Sequence, residues 1–355
     1  MAGLVAAQTS SLDPLFRGLA DGRSPGLAVL VQQNGRTIFE RGYGVRDLRS
    51  LAAIDARTDF RLASCTKQFT AMAVMLLVHD GKLRYDTRLT EVFPDFPDWA
   101  HAITIRHLLT HTAGLPDYEE LMPEGRWSAA HQITDDEVLD LLRRQKAPKF
   151  AAGASWSYSN AAYVMLGLVV AKVSGRPFRD FLRTRIFEPL EMTGTLMFVN
   201  GVNTVPNRAY GHSRRDGKLA ETDQSDTSAT QGDGGIYSNL EDLAKWDDAL
   251  RAHRLLGAEE MAPAFVRATL ADGSPTHWPA APGGDNLAPG KPVAYGYGWF
   301  LDPLGTRART WHSGTTIGFR TVIERFADGL TVIILANRSD VDPTDLAGHA
   351  ASLIP

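Results

Sequence analysis

The sequence predicts an α/β chain with an α+β layout: an antiparallel β-sheet flanked by helices and built from both termini, with a mostly helical domain inserted. Two strand-like runs, Leu27–Gln33 and Arg36–Tyr43, meet at Asn34-Gly35 near the start. Asn-Gly between two such runs is a strong hairpin signal. Further strand-like runs gather at the end of the chain, and helical patterns fill the middle. The economical arrangement pairs the two ends in one sheet. The expected division is a sheet domain of residues 12–62 and 291–355 and a mainly helical domain of 63–290, with the active site between them.

Leu12–Leu19 reads as a short helix ahead of the hairpin. A helix starts at Ser64 and runs through the apolar Gln68–Val78 (QFTAMAVMLLV). Thr104–Thr110 is helical and is ended by Ala113-Gly114 and Pro116. Asp135–Arg144 follows, then the apolar Asn160–Val173, stopped by Ser174-Gly175. Arg179–Phe187 ends before Pro189, and Leu240–Arg251 has Asn239 as a good N-cap. The C-terminal strands are expected at Tyr295–Leu301, Arg309–His312, Arg320–Phe326 and Thr331–Ala336. Asp328-Gly329 turns between the last two, and a helix at Asp345–Leu353 closes the chain. Gly273–Gly290, rich in Pro, Gly and Ala, is expected to be a long surface loop.

Composition narrows the function classes. The 355 residues are 44% hydrophobic and 22% charged, with a net charge of −4, as in an ordinary globular protein. No strongly basic face for nucleic acid is implied. Arg143, Arg144, Lys146 and Lys149 read as a solvated helix end. One cysteine, Cys65, excludes an intrachain disulfide, and its place beside Ser64 suits a small packing residue. The longest apolar stretches fall short of the about 18 residues of a membrane span. The opening MAGLVAAQTSS lacks the basic n-region and long apolar core of a complete signal peptide. It suits a trimmed periplasmic protein and a cytoplasmic one equally, and oligomeric state is not legible.

The chemistry begins at Ser64-Cys65-Thr66-Lys67, the only S-x-x-K in the chain. A serine hydroxyl attacks poorly until a base takes its proton. Residues three apart on a helix share a face, so the Lys67 amine can reach the Ser64 oxygen. A helix start also offers free N–H groups to an oxyanion. Tyr158-Ser159-Asn160 precedes another helix: a tyrosine can shuttle a proton beside a cation such as Lys67, and an asparagine amide can orient a carbonyl. Tyr237-Ser238-Asn239 repeats that tripeptide, and spacing rules alone do not choose between them. His312-Ser313-Gly314 follows the strand Arg309–Trp311. Gly314 would let substrate approach the backbone, and the Thr315 N–H could be an oxyanion donor. Alternatively, these residues are a strand-end turn with a surface histidine. His107 and His111 sit four apart, as zinc ligands do, but without H-E-x-x-H; packing is favoured. Gly232, Gly234 and Gly235 lack the lysine of a phosphate-binding loop, and the G-x-S-x-G elbow is absent. No cofactor and no metal are expected.

Ser64 and Tyr158 are separated by 94 residues, and Tyr158 and His312 by 154. With this ordered S-x-x-K, Y-x-N and H-x-G come Ile105–Tyr118 (IRHLLTHTAGLPDY), Gly232–Asn239 (GDGGIYSN) and Tyr295–Trp299 (YGYGW). From about Leu12 to its end the chain resembles the serine β-lactamase-related family: class C β-lactamases, D-alanyl-D-alanine carboxypeptidases, D-aminopeptidases and family VIII esterases. The resemblance implies a β-lactamase/transpeptidase-like fold, and it favours Tyr158 over Tyr237. It implies that Ser64 is acylated, that Lys67 and Tyr158 carry its proton, and that Asn160 positions substrate. It also implies that the Ser64 and Thr315 N–H groups hold the oxyanion, and that His312, Gly314 and Thr315 bind substrate. Class C β-lactamases carry lysine where His312 stands. A histidine is mostly uncharged at neutral pH, so an esterase-like serine hydrolase of small-molecule esters or amides is expected. D-alanyl-D-alanine carboxypeptidase or D-aminopeptidase activity, weak β-lactamase activity, and a penicillin-binding protein that acylates without turnover are the alternatives. Neither a nucleic-acid partner nor stable membrane insertion is expected.

Overall fold

The computed structural model describes residues 11–279 and 289–354. Strands β1 (Leu27–Gln33) and β2 (Arg36–Tyr43) form the expected hairpin. Asn34 and Gly35 both take positive φ, 52° and 75°, as a tight two-residue turn between right-twisting strands requires. Strands β3 (Arg309–Thr316), β4 (Phe319–Phe326) and β5 (Leu330–Ala336) complete a five-stranded antiparallel sheet in the order β3-β4-β5-β1-β2. The two ends of the chain meet at its centre, where β1 pairs with β5 from Leu27↔Ala336 to Gln33↔Leu330.

A 3₁₀ turn, Ala63–Thr66, leads into α1 (Lys67–His79). Among the helices in the middle of the chain are α2 (Ile105–Leu109), α3 (Asp135–Arg143), α4 (Asn160–Ser174) and α5 (Leu240–Arg251). Helix α6 (Pro343–Ser352) comes after the last strand. Side chains on strands alternate between faces, and here both faces are covered. Leu27, Val29, Val332 and Ile334 pack on Leu12 and Phe16 of the helical stretch 11–17 and on Ala347 and Ala350 of α6. Ala28, Leu30, Ile333 and Leu335 belong to the larger core that contains α1 and α4. This explains why β1 and β5 read as continuous apolar runs. Among the described residues no single helix is long and apolar enough to cross a membrane.

Four local expectations change. Ser64 lies in the 3₁₀ turn and not in the α-helix, because Ala63 adopts a positive φ of 48° just before it. Tyr295–Leu301 is not a strand: Gly298 takes φ 78° and the segment folds back to pair Tyr295 with Phe300. Strand β3 continues to Thr316, so His312, Ser313 and Gly314 lie inside it and not after it. Arg179–Phe187 divides into an α-helical turn, Phe178–Leu182, and a wider π turn, Arg183–Phe187. Within the loop expected at Gly273–Gly290, residues 280–288 lie outside the described residues.

Candidate active site

Three elements converge on one cleft. The turn before α1 supplies Ser64 and α1 opens with Lys67. The N-terminus of α4 brings Tyr158, Ser159 and Asn160. Edge strand β3 lies along the other side with His312 to Thr316. The cleft has a volume of about 850 Å³, and Ser64, Tyr158, Asn160, His312 and Thr315 all line it.

Lys67 is fully buried. Its Nζ donates to Ser64 Oγ at 3.1 Å, to Asn160 Oδ1 at 2.8 Å and to the Asp233 carbonyl at 3.0 Å. These three acceptors match the three hydrogens of an ammonium group. The amine also lies 4.9 Å from the centre of the Tyr158 ring and 5.5 Å from that of Tyr163, within cation–π range. A buried cation needs such surroundings, since leaving it unpaired would cost several kcal/mol. Asn160 is held in turn: its backbone N–H donates to Asp117 Oδ2 at 2.8 Å and its Nδ2 to Glu119 Oε1 at 3.4 Å. Burial raises the Asp117 carboxyl to about 6. Ser159 caps α4 by accepting from the Ala162 N–H.

Strand β3 meets the serine turn directly. A Cβ on Gly314 would come within 2.1 Å of the Leu62 carbonyl oxygen and 2.3 Å of Thr321 Oγ1, so only glycine lets the two segments touch. Cys65 lies beneath this contact: its thiol donates to the His312 carbonyl at 3.1 Å, and burial pushes the thiol up to about 12. It is therefore an uncharged packing group.

His312 is buried. Its Nδ1 lies 2.7 Å from the Ser313 carbonyl and its Nε2 lies 3.0 Å from the Tyr295 hydroxyl. A carbonyl only accepts, so the proton sits on Nδ1 and Nε2 accepts from the tyrosine. Burial, aided by the charge on Lys67, drops the imidazole to about 3. His312 is neutral and both its nitrogens are occupied. Beside it, Trp278, Phe300 and Trp311 form an aromatic wall of the cleft. Phe300 stacks on Trp311 at 5.0 Å and on Trp278 at 6.1 Å, and Trp311 Nε1 donates to Asp302.

Of the two similar tripeptides, only the first reaches this cleft. Tyr237 is buried in a small sheet with Phe60–Arg61 and Leu196–Met197, and its hydroxyl accepts from Arg208. The rings of His107 and His111 go to separate partners: Thr104 at the start of α2, and the Ser159 N–H. Among the described residues no group of three potential ligands could hold a metal. Sequence reasoning did not foresee Asp233, whose carbonyl holds Lys67, nor the aromatic wall. Backbone acceptors carry no residue signature, and Trp278 and Trp311 come from loops and strands distant in sequence.

The model of the family described as Beta-lactamase matches residues 12–353. Penicillin-binding protein 4* of Bacillus subtilis is 29% identical over 93% of this chain and 72% of its own length. Esterase EstB of Burkholderia gladioli is 29% identical over 94% of this chain and 91% of its own. Among solved structures, D-amino acid amidase from Ochrobactrum anthropi SV3 superposes with a TM-score of 0.78 at 27% identity, covering 97% of this chain and 98% of the amidase. With this match along nearly its whole length, the chain belongs to the beta-lactamase family of serine hydrolases.

Proposed function

We propose that the protein is an esterase-like serine hydrolase that works through an acyl-enzyme on Ser64. The observation that carries the reading is the buried Lys67 amine 3.1 Å from Ser64 Oγ, held by Asn160 and the Asp233 carbonyl. In this mechanism Tyr158 acts as a phenolate, stabilised by the positive charge of Lys67. Ser64 Oγ attacks the ester carbonyl while its proton passes to the Tyr158 oxygen, and Lys67 keeps its three hydrogens throughout. Asn160 orients the substrate, and the N–H groups of Ser64 and Thr315 receive the oxyanion. One such donor is worth roughly 10²–10³-fold in rate. Gly314 serves this by letting β3 lie against the turn that carries Ser64, and not by facing the substrate. The proton then returns to the departing alcohol, and water hydrolyses the acyl-enzyme by the reverse route. The sheet part, 12–62 and 291–355, and the helical part, 63–290, are the two domains we propose to flank this site.

Preference for esters over β-lactams is supported by the uncharged, fully hydrogen-bonded His312 and by the aromatic wall. A neutral imidazole gives a substrate carboxylate no fixed positive charge, whereas aromatic faces favour apolar groups. A second reading, D-aminoacyl amide hydrolysis, is favoured by one observation: Glu119 lines the cleft beside Asn160 and could take a substrate ammonium.

The test compares a short-chain p-nitrophenyl ester, a D-phenylalanine p-nitroanilide and a chromogenic cephalosporin, with Ser64→Ala as control. Ester turnover should exceed cephalosporin turnover, and Ser64→Ala should lower kcat by roughly 10⁴–10⁶-fold. Faster anilide turnover selects the second reading. Fast cephalosporin turnover, or full activity in Ser64→Ala, overturns the proposal.

A further inference from the structure

His111 lies at the back of the candidate site, 1% exposed, and it holds the backbone on both sides of Tyr158. The Ser157 N–H donates to the His111 carbonyl at 3.0 Å. The Ser159 N–H donates to His111 Nδ1 at 3.1 Å. Between these two bonds the imidazole lies against the phenol ring, with ring centres 4.4 Å apart and planes inclined by 35°. One residue thus fixes the chain before Tyr158, the chain after it, and one face of its ring.

The chemistry at His111 is suited to that task. Because Nδ1 accepts the Ser159 N–H, the proton of the neutral ring must be on Nε2. Nε2 has no hydrogen-bond partner among the described residues. The imidazole sits in a cage of Tyr163, Tyr295 and Trp156, whose ring centres are 5.1, 4.6 and 5.8 Å from its own. A second proton would place a charge in that cage and near Lys67. Burial first, and then the charge on Lys67, hold the imidazole well below its ordinary range. It therefore stays an acceptor at Nδ1. The backbone is also committed to this position: His111 takes φ 60°, a left-handed conformation in which asparagine is enriched and most side chains are rare.

We infer that His111 is a positioning residue for Tyr158, clamping residues 157 and 159 and stacking on the phenol so that its oxygen is held for proton transfer at Ser64. The inference rests on the reading of Ser64, Lys67 and Tyr158 as the reacting groups. A small displacement of a positioned group in such a site can cost about 10²-fold in rate.

The test uses His111→Gly and His111→Asn, each alone and combined with Tyr158→Phe, in hydrolysis of the p-nitrophenyl ester. Glycine tolerates the left-handed backbone and removes the ring and its acceptor. Asparagine also tolerates that backbone, and its Oδ1 is bonded to Cγ as Nδ1 is. His111→Gly should lower kcat by about 10²-fold with KM changed less than about threefold. His111→Asn should recover most of kcat. In the Tyr158→Phe background neither substitution should lower kcat further, because residues acting as a unit are not additive. If His111→Gly does not fold, His111→Ala, which removes the same ring and acceptor, takes its place, alone and combined with Tyr158→Phe. The inference is overturned if both His111 variants keep the parental kcat, or if their losses persist undiminished in Tyr158→Phe. If Tyr158→Phe itself is fully active, the assignment of Tyr158 fails instead, and the two failures are told apart.

Discussion

At the scale of the residue, the site is governed by which buried groups carry charge. Lys67 has three acceptors and two aromatic faces around its amine. His312, by contrast, has a tyrosine hydroxyl and a carbonyl, neither of which balances a positive charge. A lysine at position 312 would put a second cation near Lys67 with no carboxylate among these partners, and burying an unpaired charge is costly. His312→Lys should therefore lower the melting temperature and bring no gain in cephalosporin turnover. A stable variant with fast cephalosporin hydrolysis would show that the cleft can hold a second cation. The sequence indicated a neutral histidine from its ordinary titration range alone. Its burial, its tautomer and its bond to Tyr295 depend on the fold-back of Tyr295–Leu301, which reads as a strand in one dimension.

At the scale of the element, the cleft exists because strand β3 presses against the turn before α1. Gly314 is the point of contact. Gly314→Ala should cost about 1–3 kcal/mol, the usual range for overfilling a packed site. It should also lower kcat, since the new methyl group must push β3 and Leu62 apart. Thermal unfolding and ester kinetics on one variant check both effects, and unchanged values in both would contradict the close approach. The strand was legible only as far as His312. Its last residues, Ser313 to Thr316, are small and polar, and turn signals outweigh strand signals in such a run. They become strand because β4 pairs with them, Thr316 opposite Phe319. The caps tell the opposite story. Asn239 and Thr104 mark helix starts through local hydrogen bonds, so local sequence suffices to find them.

At the scale of the whole molecule, several acids are buried with raised protonation ranges. Burial moves Asp135 to about 8, Glu324 to about 7 and Asp59 to about 6. Such a group holds its proton more tightly folded than unfolded. The stability it contributes is full below the unfolded value near 4 and is lost as pH rises through the folded value. Asp135 accepts from the Gln231 N–H at 3.0 Å, a bond that an asparagine can keep without titrating. The melting temperature of Asp135→Asn minus that of the parent should therefore widen from pH 5 to pH 9. Glu324 and Asp59 act equally in both proteins and leave that difference. A gap that does not change with pH would mean that Asp135 is ionised throughout. The pairing of the chain's two ends, also a property of the whole, was readable from the sequence, since strand patterns cluster at both ends and helices lie between.

Local rules and ordered motifs thus reach far here. The β1–β2 hairpin, the capped helices and the joint spacing of Ser64, Lys67, Tyr158 and His312 are written in residue types at short range or in fixed order. Tertiary structure alone decided that Asp233 offers its carbonyl to Lys67, that Trp278, Phe300 and Trp311 form one wall, and that His111 grips both neighbours of Tyr158. The physical reason is the same for each. Backbone acceptors look alike in every residue, and contacts between segments distant in the chain form only when packing closes the core around them.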